Sequence, residues 1–174
     1  MKTAFANSIL LAAAIAASGQ TISRPAVPEK IKAPEREKVI LQAQASGSQI
    51  YTCQPTPEGK YAWTLKAPDA NLADLHGKPI GKHYAGPTWK HNDGSEVTGK
   101  AAARVDAPDP ASIPWLLVTV TAHSGDGTFS HVSSIQRIHT HGGQPPPADN
   151  CNPSKANTEA KSSYTAEYYF FAPE

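Results

Sequence analysis

From Val39 onward, apolar residues recur mainly at every second position, in stretches too short for a helix. That period belongs to a strand with one face buried, whereas a helix repeats near 3.6 residues. Tyr61, Trp63 and Leu65 alternate with Ala62, Thr64 and Lys66. Val97, Gly99, Ala101, Ala103 and Val105 alternate with polar neighbours, and the Asp93-Gly94 turn before them favours a strand over a helix. Trp115 to Ala122 reads as a strand packed on both faces at its start, and Tyr164 to Phe171 as an aromatic-rich last strand. Val39–Leu41 and Ile50–Cys53 flank Ser46-Gly47-Ser48, which suggests a hairpin. In Thr128 to Thr140 the apolar spacing is three, and a bulge at Ser133-Ser134 would restore strand parity, with a short helix as the alternative. Short strands, turn signals and 16 prolines predict a single all-β domain: an antiparallel sandwich or barrel with long loops and little helix.

The N-terminus differs from the rest. Lys2, the apolar run Ile9 to Ala17, and the small residues Ala14, Ala16, Ala17 and Gly19 fit an export signal over residues 1–19. Nine apolar residues fall short of the roughly 20 that a membrane helix needs, and no later segment approaches that length. Residues 20–38 carry Pro25, Pro28, Pro34 and the charged run Glu35 to Lys38, and read as an arm with little apolar surface to bury. The β domain is then 39–174. An exported chain, periplasmic or extracellular, meets an oxidising compartment, so Cys53 and Cys151 are expected to pair. The charges, 16 Lys and Arg against 15 Asp and Glu, balance once Lys2 is removed. A neutral chain has no electrostatic footprint for nucleic acid.

An ordered set of motifs carries a family resemblance. His83-Tyr84-Ala85-Gly86-Pro87-Thr88-Trp89, Asp93-Gly94-Ser95, Asp106-Ala107-Pro108-Asp109-Pro110 and Ile113-Pro114-Trp115-Leu116-Leu117 come first. Ile135-Gln136-Arg137, Thr140 with Gly142-Gly143, and Tyr164-Thr165-Ala166-Glu167-Tyr168-Tyr169-Phe170 follow. From about Leu41 to Phe171 the chain resembles the exported bacterial and fungal proteins catalogued as domain of unknown function 3455. His139 departs from that pattern, which carries Asn there. The resemblance implies no activity and assigns no site residues. A dinucleotide site, as a dehydrogenase would need, is excluded: Gly125-Asp126-Gly127 lacks the third glycine and the following helix.

Three constellations remain. His83, Tyr84 and Trp89 surround the Gly86-Pro87 bend, and an imidazole, a phenol and an indole together suit a sugar ring or small apolar ligand. The competing reading is a corner in which Trp89 plugs the fold and His83 bonds a loop carbonyl. His139 and His141 would share one face of a regular strand and could hold a metal ion, with His83, His91 or Asp93 completing the set; otherwise no cofactor is expected. Ser95 lies in a turn signature, not in a nucleophile elbow, and no catalytic residue stands out. The expected function is non-catalytic binding of a small molecule or envelope component. A metal-assisted or carboxylate-based hydrolase of an extracellular polymer and a purely structural envelope protein are the alternatives.

Overall fold

The computed structural model describes residues 22–174, so the export signal expected over 1–19 lies outside them. The strands are β1 (Glu37–Pro55), β2 (Tyr61–Ala73), β3 (Pro79–Tyr84), β4 (Thr88–His91), β5 (Glu96–Val105), β6 (Trp115–Ser124), β7 (Ser134–Gly142) and β8 (Glu159–Pro173). Each pairs antiparallel with the next, and β8 returns to β1, so one sheet closes in a ring. The all-β expectation holds. Helix among the described residues is limited to three 3-10 turns, at Glu29–Ile31, Ala148–Asn150 and Pro153–Lys155. None of it is long and apolar enough to cross a membrane.

Closure explains the first correction. Ser46-Gly47-Ser48 is not a turn: β1 runs unbroken through it, pairing with β2 on one side and β8 on the other. A Cβ at residue 47 would overlap the Asp69 carbonyl and Ala70 of β2. The glycine therefore marks close approach of two strands, a reading that competes with the turn wherever Gly sits in a strand pattern.

Alternation divides the apolar residues between two clusters. Ala43, Ala45, Leu72, Trp89, Val97, Val118, Ile135, Tyr168 and Phe170 fill the interior, joined by Phe129 and Val132 from the β6–β7 connection. The opposite parity of the same strands, Trp115 and Leu117 of β6, Ile138 of β7, and Tyr169 and Phe171 of β8, forms a second cluster outside the ring. Within β5 a register shift between Ala101 and Ala103 moves Ala103 and Val105 from the interior parity to this outer cluster. The irregularity in β7 is not at Ser133-Ser134, where the strand only begins. It lies between Ile138 and His141, with His139 at φ 47°. Asn is among the residues best suited to that left-handed region, which gives the resembling pattern's Asn a physical reason.

The second correction concerns the arm. Ile31 is fully buried and Ala33 nearly so, both in the outer cluster. The Ile31 carbonyl accepts from Gln136 Nε2 at 2.6 Å. Arg24 donates to the carbonyls of Ala33, Pro34 and Glu37, and its guanidinium lies 5.2 Å from the Phe171 ring centroid. Composition suggested a segment with little to bury; Ile31 and Ala33, with Ile22 and Val27 packed beside them, dock it. Cys53 and Cys151 form the expected disulfide, Cα atoms 5.4 Å apart, tying the end of β1 to the β7–β8 connection.

Candidate ligand-binding cavity

The ring is uneven because β3 and β4 are short. β2 pairs with β3 only over Ala70–Ala73, and β5 pairs with β4 only over Glu96–Thr98. Past the β3–β4 hairpin, the facing parts of β2 and β5 have no strand between them. A cavity of about 460 Å³ lies there, with Leu65 and Pro68 of β2 on one side, Lys100 and Ala101 of β5 on the other, and the Gly86-Pro87 turn at its edge. That volume falls in the range of small-molecule sites, roughly 300–1,000 Å³.

The cavity reaches the ring interior at His83, Trp89 and Tyr168. His83 and Trp89 are directly cross-strand, and their rings stack with centroids 4.3 Å apart at 10°. Tyr168 meets both edge-on, at 5.3 and 5.7 Å. His83 Nδ1 lies 2.8 Å from the Thr88 carbonyl oxygen. A carbonyl only accepts, so Nδ1 carries the proton and Nε2 is left as an acceptor. Burial lowers the His83 pKa to about 3, the Thr88 hydrogen bond opposing and Arg137 adding to the effect, so the ring is neutral.

Four groups on residues lining this cavity are buried without a hydrogen-bond partner among the described residues: Gln49 Nε2, Trp89 Nε1, Arg137 Nε and the Tyr168 hydroxyl. Burial raises the Tyr168 pKa despite the nearby Arg137 guanidinium; Tyr164 and the Trp89 indole are also close, but none makes a bond of ordinary geometry to the hydroxyl. Arg137 donates through Nη2 to the Pro114 carbonyl at 2.8 Å. No carboxylate pairs with it among the described residues. A larger hollow, about 590 Å³, lies against the arm, but of the unpartnered buried atoms only Gln136 Oε1 belongs to its lining. Convergent polar groups, more than volume, mark a binding site, and they favour the interior cavity.

The residues singled out from sequence separate accordingly. His83 and Trp89 come together in the cavity wall, and His83 also makes the loop-carbonyl bond of the competing corner reading. Tyr84, next along β3, takes the opposite face. It donates to Glu96 Oε2 at 2.6 Å, and that bond to a carboxylate, with burial, pushes its pKa up to about 12. His139 and His141 both border a separate hollow of about 370 Å³. His139 Nδ1 is 3.3 Å from Glu167 Oε2, and its ring meets Trp115 edge-on at 5.2 Å. No group of three or more His, Cys, Asp or Glu side chains suited to a metal ion occurs among the described residues.

His91, Asp93 and Ser95 have the composition of a catalytic triad without its wiring. Asp93 stands between the other two, 2.9 Å from His91 Nδ1 and 2.6 Å from Ser95 Oγ, so no imidazole reaches the hydroxyl. Ser95 is fully buried and its Oγ accepts the Phe129 amide. Desolvation would raise the Asp93 pKa, but bonds from Ser95 and Thr128 outweigh it and hold the carboxyl well below its ordinary range. This knot fastens the β4–β5 turn to the β6–β7 connection.

Gln49, Arg137 and Tyr168 were not among the sequence candidates, yet parity marks them. Gln49 continues the inward series Ala43, Ala45 and Gly47; Arg137 lies two residues after Ile135; Tyr168 lies between Ala166 and Phe170. A polar residue at an inward position of a strand is itself a signal, once the inward face is known.

Fold and cavity together define an all-β ring with an internal pocket. The chain belongs to the family described as Protein of unknown function (DUF3455), whose model matches residues 34–172. No curated protein and no solved structure matches it.

Proposed function

We propose that this protein is an exported, non-catalytic binding domain that takes a small, largely apolar molecule into the ring through the gap beside the β3–β4 hairpin. The observation that carries this reading is a largely apolar cavity whose lining residues include four with a buried, unpartnered polar group. Leaving such a group unpaired costs about 1–3 kcal/mol each, and a ligand that these side chains turn to meet recovers that cost. Rings of eight strands have interiors of the size that holds one small ligand. The pairing of Cys53 with Cys151 is compatible with an oxidising destination. Against a nucleophilic hydrolase stands the wiring at Ser95, whose hydroxyl is buried and bonded to a carboxylate, with no imidazole in reach.

The test is a nuclear magnetic resonance titration of the disulfide-bonded protein with a panel of small apolar acids, amides, alcohols and sugars. One-to-one saturation is expected, with shifts centred on the Trp89 indole N–H, Leu116 and Val118. Shifts confined to the outer surface, or no shift with any compound, would overturn the proposal.

A further inference from the structure

We infer that the ligand of this cavity is a small apolar molecule ending in a carboxylate, bound head-first against Arg137. This deepens the binding reading and rests on it. The polar groups on the wall are strongly one-sided. Gln49 Nε2, Trp89 Nε1 and Arg137 Nε can only donate, and the Tyr168 hydroxyl can donate as well. His83 Nε2 is an acceptor on the same lining, so the set is donor-rich, and it suits a ligand group made mainly of acceptor atoms.

Charge narrows the class. The lining includes Arg137 and, at the rim, Lys100, but no Asp or Glu, and His83 is neutral. A guanidinium keeps its charge in any environment, and here no carboxylate of the described chain neutralises it. Arg137 is partly withdrawn from water, and a charge so placed and left unpaired is costly, so an anionic ligand recovers more than a neutral acceptor does. Arg137 already commits Nη2 to Pro114, which fixes the orientation of its planar fork and leaves Nε for the ligand. Nε can then give one carboxylate oxygen a single charge-assisted hydrogen bond. The remaining oxygen contacts fall to the Tyr168 hydroxyl and the Trp89 indole, whose rings already pack edge-on at 5.7 Å.

The rest of the ligand is set by the wall. Leu65, Pro68, Pro87, Leu116 and Val118 offer no hydrogen bonds from their side chains and favour an aliphatic or aromatic body.

The experiment is isothermal titration of the native, disulfide-bonded protein with octanoate, decanoate and 3-phenylpropanoate, each against its primary amide and its alcohol. At least one carboxylate should bind about tenfold or more tighter than its amide, as expected for a charge-assisted hydrogen bond. Arg137→Gln should bring the carboxylate-to-amide affinity ratio down to about one. Tyr168→Phe, which keeps the ring, should weaken the carboxylate by a smaller factor, so the result stands even if Arg137→Gln fails to fold. Equal binding of acid, amide and alcohol would overturn the carboxylate assignment and leave the binding proposal intact. Absence of binding by every compound would instead remove the binding proposal, and the assignment with it.

Discussion

The two apolar clusters of this protein are built from the same strands and end differently. On β8, Tyr168 and Phe170 face the interior, while Tyr169 and Phe171 face outward. The outer face is closed by the chain itself: Ile31 inserts into it, Gln136 bonds the Ile31 carbonyl, and Arg24 covers Phe171. The inner face is closed at the Phe129 end, but beside the short β3–β4 hairpin it opens into a cavity whose donors lack partners. One cluster is finished by the chain's own N-terminal segment; the other, on the function proposed above, is left for a ligand. Regions of the second kind concentrate at functional sites, where stability is given up for binding.

The comparison breaks most directly in the outer cluster. Phe171→Ala should cost about 3–5 kcal/mol, the range for deleting a fully buried aromatic side chain. Urea denaturation will measure it, and a loss under about 1 kcal/mol would show that the outer face is not a true core. Ile31→Ala should cost about 2–4 kcal/mol through the same cavity mechanism. A near-zero effect would restore the view of residues 20–38 as a passive arm.

A third experiment separates the inner cluster by pH. His83 has its folded pKa lowered to about 3, whereas the unfolded imidazole titrates near 6.5. Between those values the unfolded chain binds the extra proton, so stability is full above pH 6.5 and falls as the pH drops toward 3. The slope should approach about 1.4 kcal/mol per pH unit. Asp93, with its depressed pKa, adds a loss only below its unfolded value near 3.8. Denaturation midpoints at pH 7, 6, 5 and 4.5 should therefore decline in the wild type and flatten in His83→Gln. Parallel curves for the two proteins would mean His83 is not the titrating group.

The smallest expected effect has the opposite sign. Tyr168→Phe and Gln49→Leu remove polar groups that have no partner, so each should be neutral or stabilise by up to about 1 kcal/mol in ligand-free protein. A loss above about 1 kcal/mol for both would show that these groups are satisfied within the fold, and the contrast between the clusters would disappear.

Much of this architecture is legible in the order of the amino acids. The strands at Tyr61, Glu96, Trp115 and Tyr164 follow from alternation, and the disulfide from an even pair in a chain that carries an export pattern. At the site, His83 and Trp89 are legible from side-chain chemistry. Tyr84 is set apart by the rule that consecutive strand residues face opposite sides. Local ambiguity hides the rest: Gly47 satisfies a turn signal and a close-approach signal equally, and the spacing of Phe129, Val132, Ile135 and Ile138 mixes a loop with a strand.

By itself, then, the sequence determined the period-two elements, their antiparallel character and the covalent tie, because each depends on neighbours a few residues apart or on chemistry unique to cysteine. It also placed His83 beside Trp89, since a tight Gly-Pro turn makes them cross-strand partners. Only the tertiary structure decided that the sheet closes, that Ile31 seals its outer face, and that Gln49, Arg137 and Tyr168 meet around one cavity. Those three residues come from β1, β7 and β8. Their convergence depends on ring closure and on two short strands that leave a gap, and neither is encoded in any single stretch of the chain.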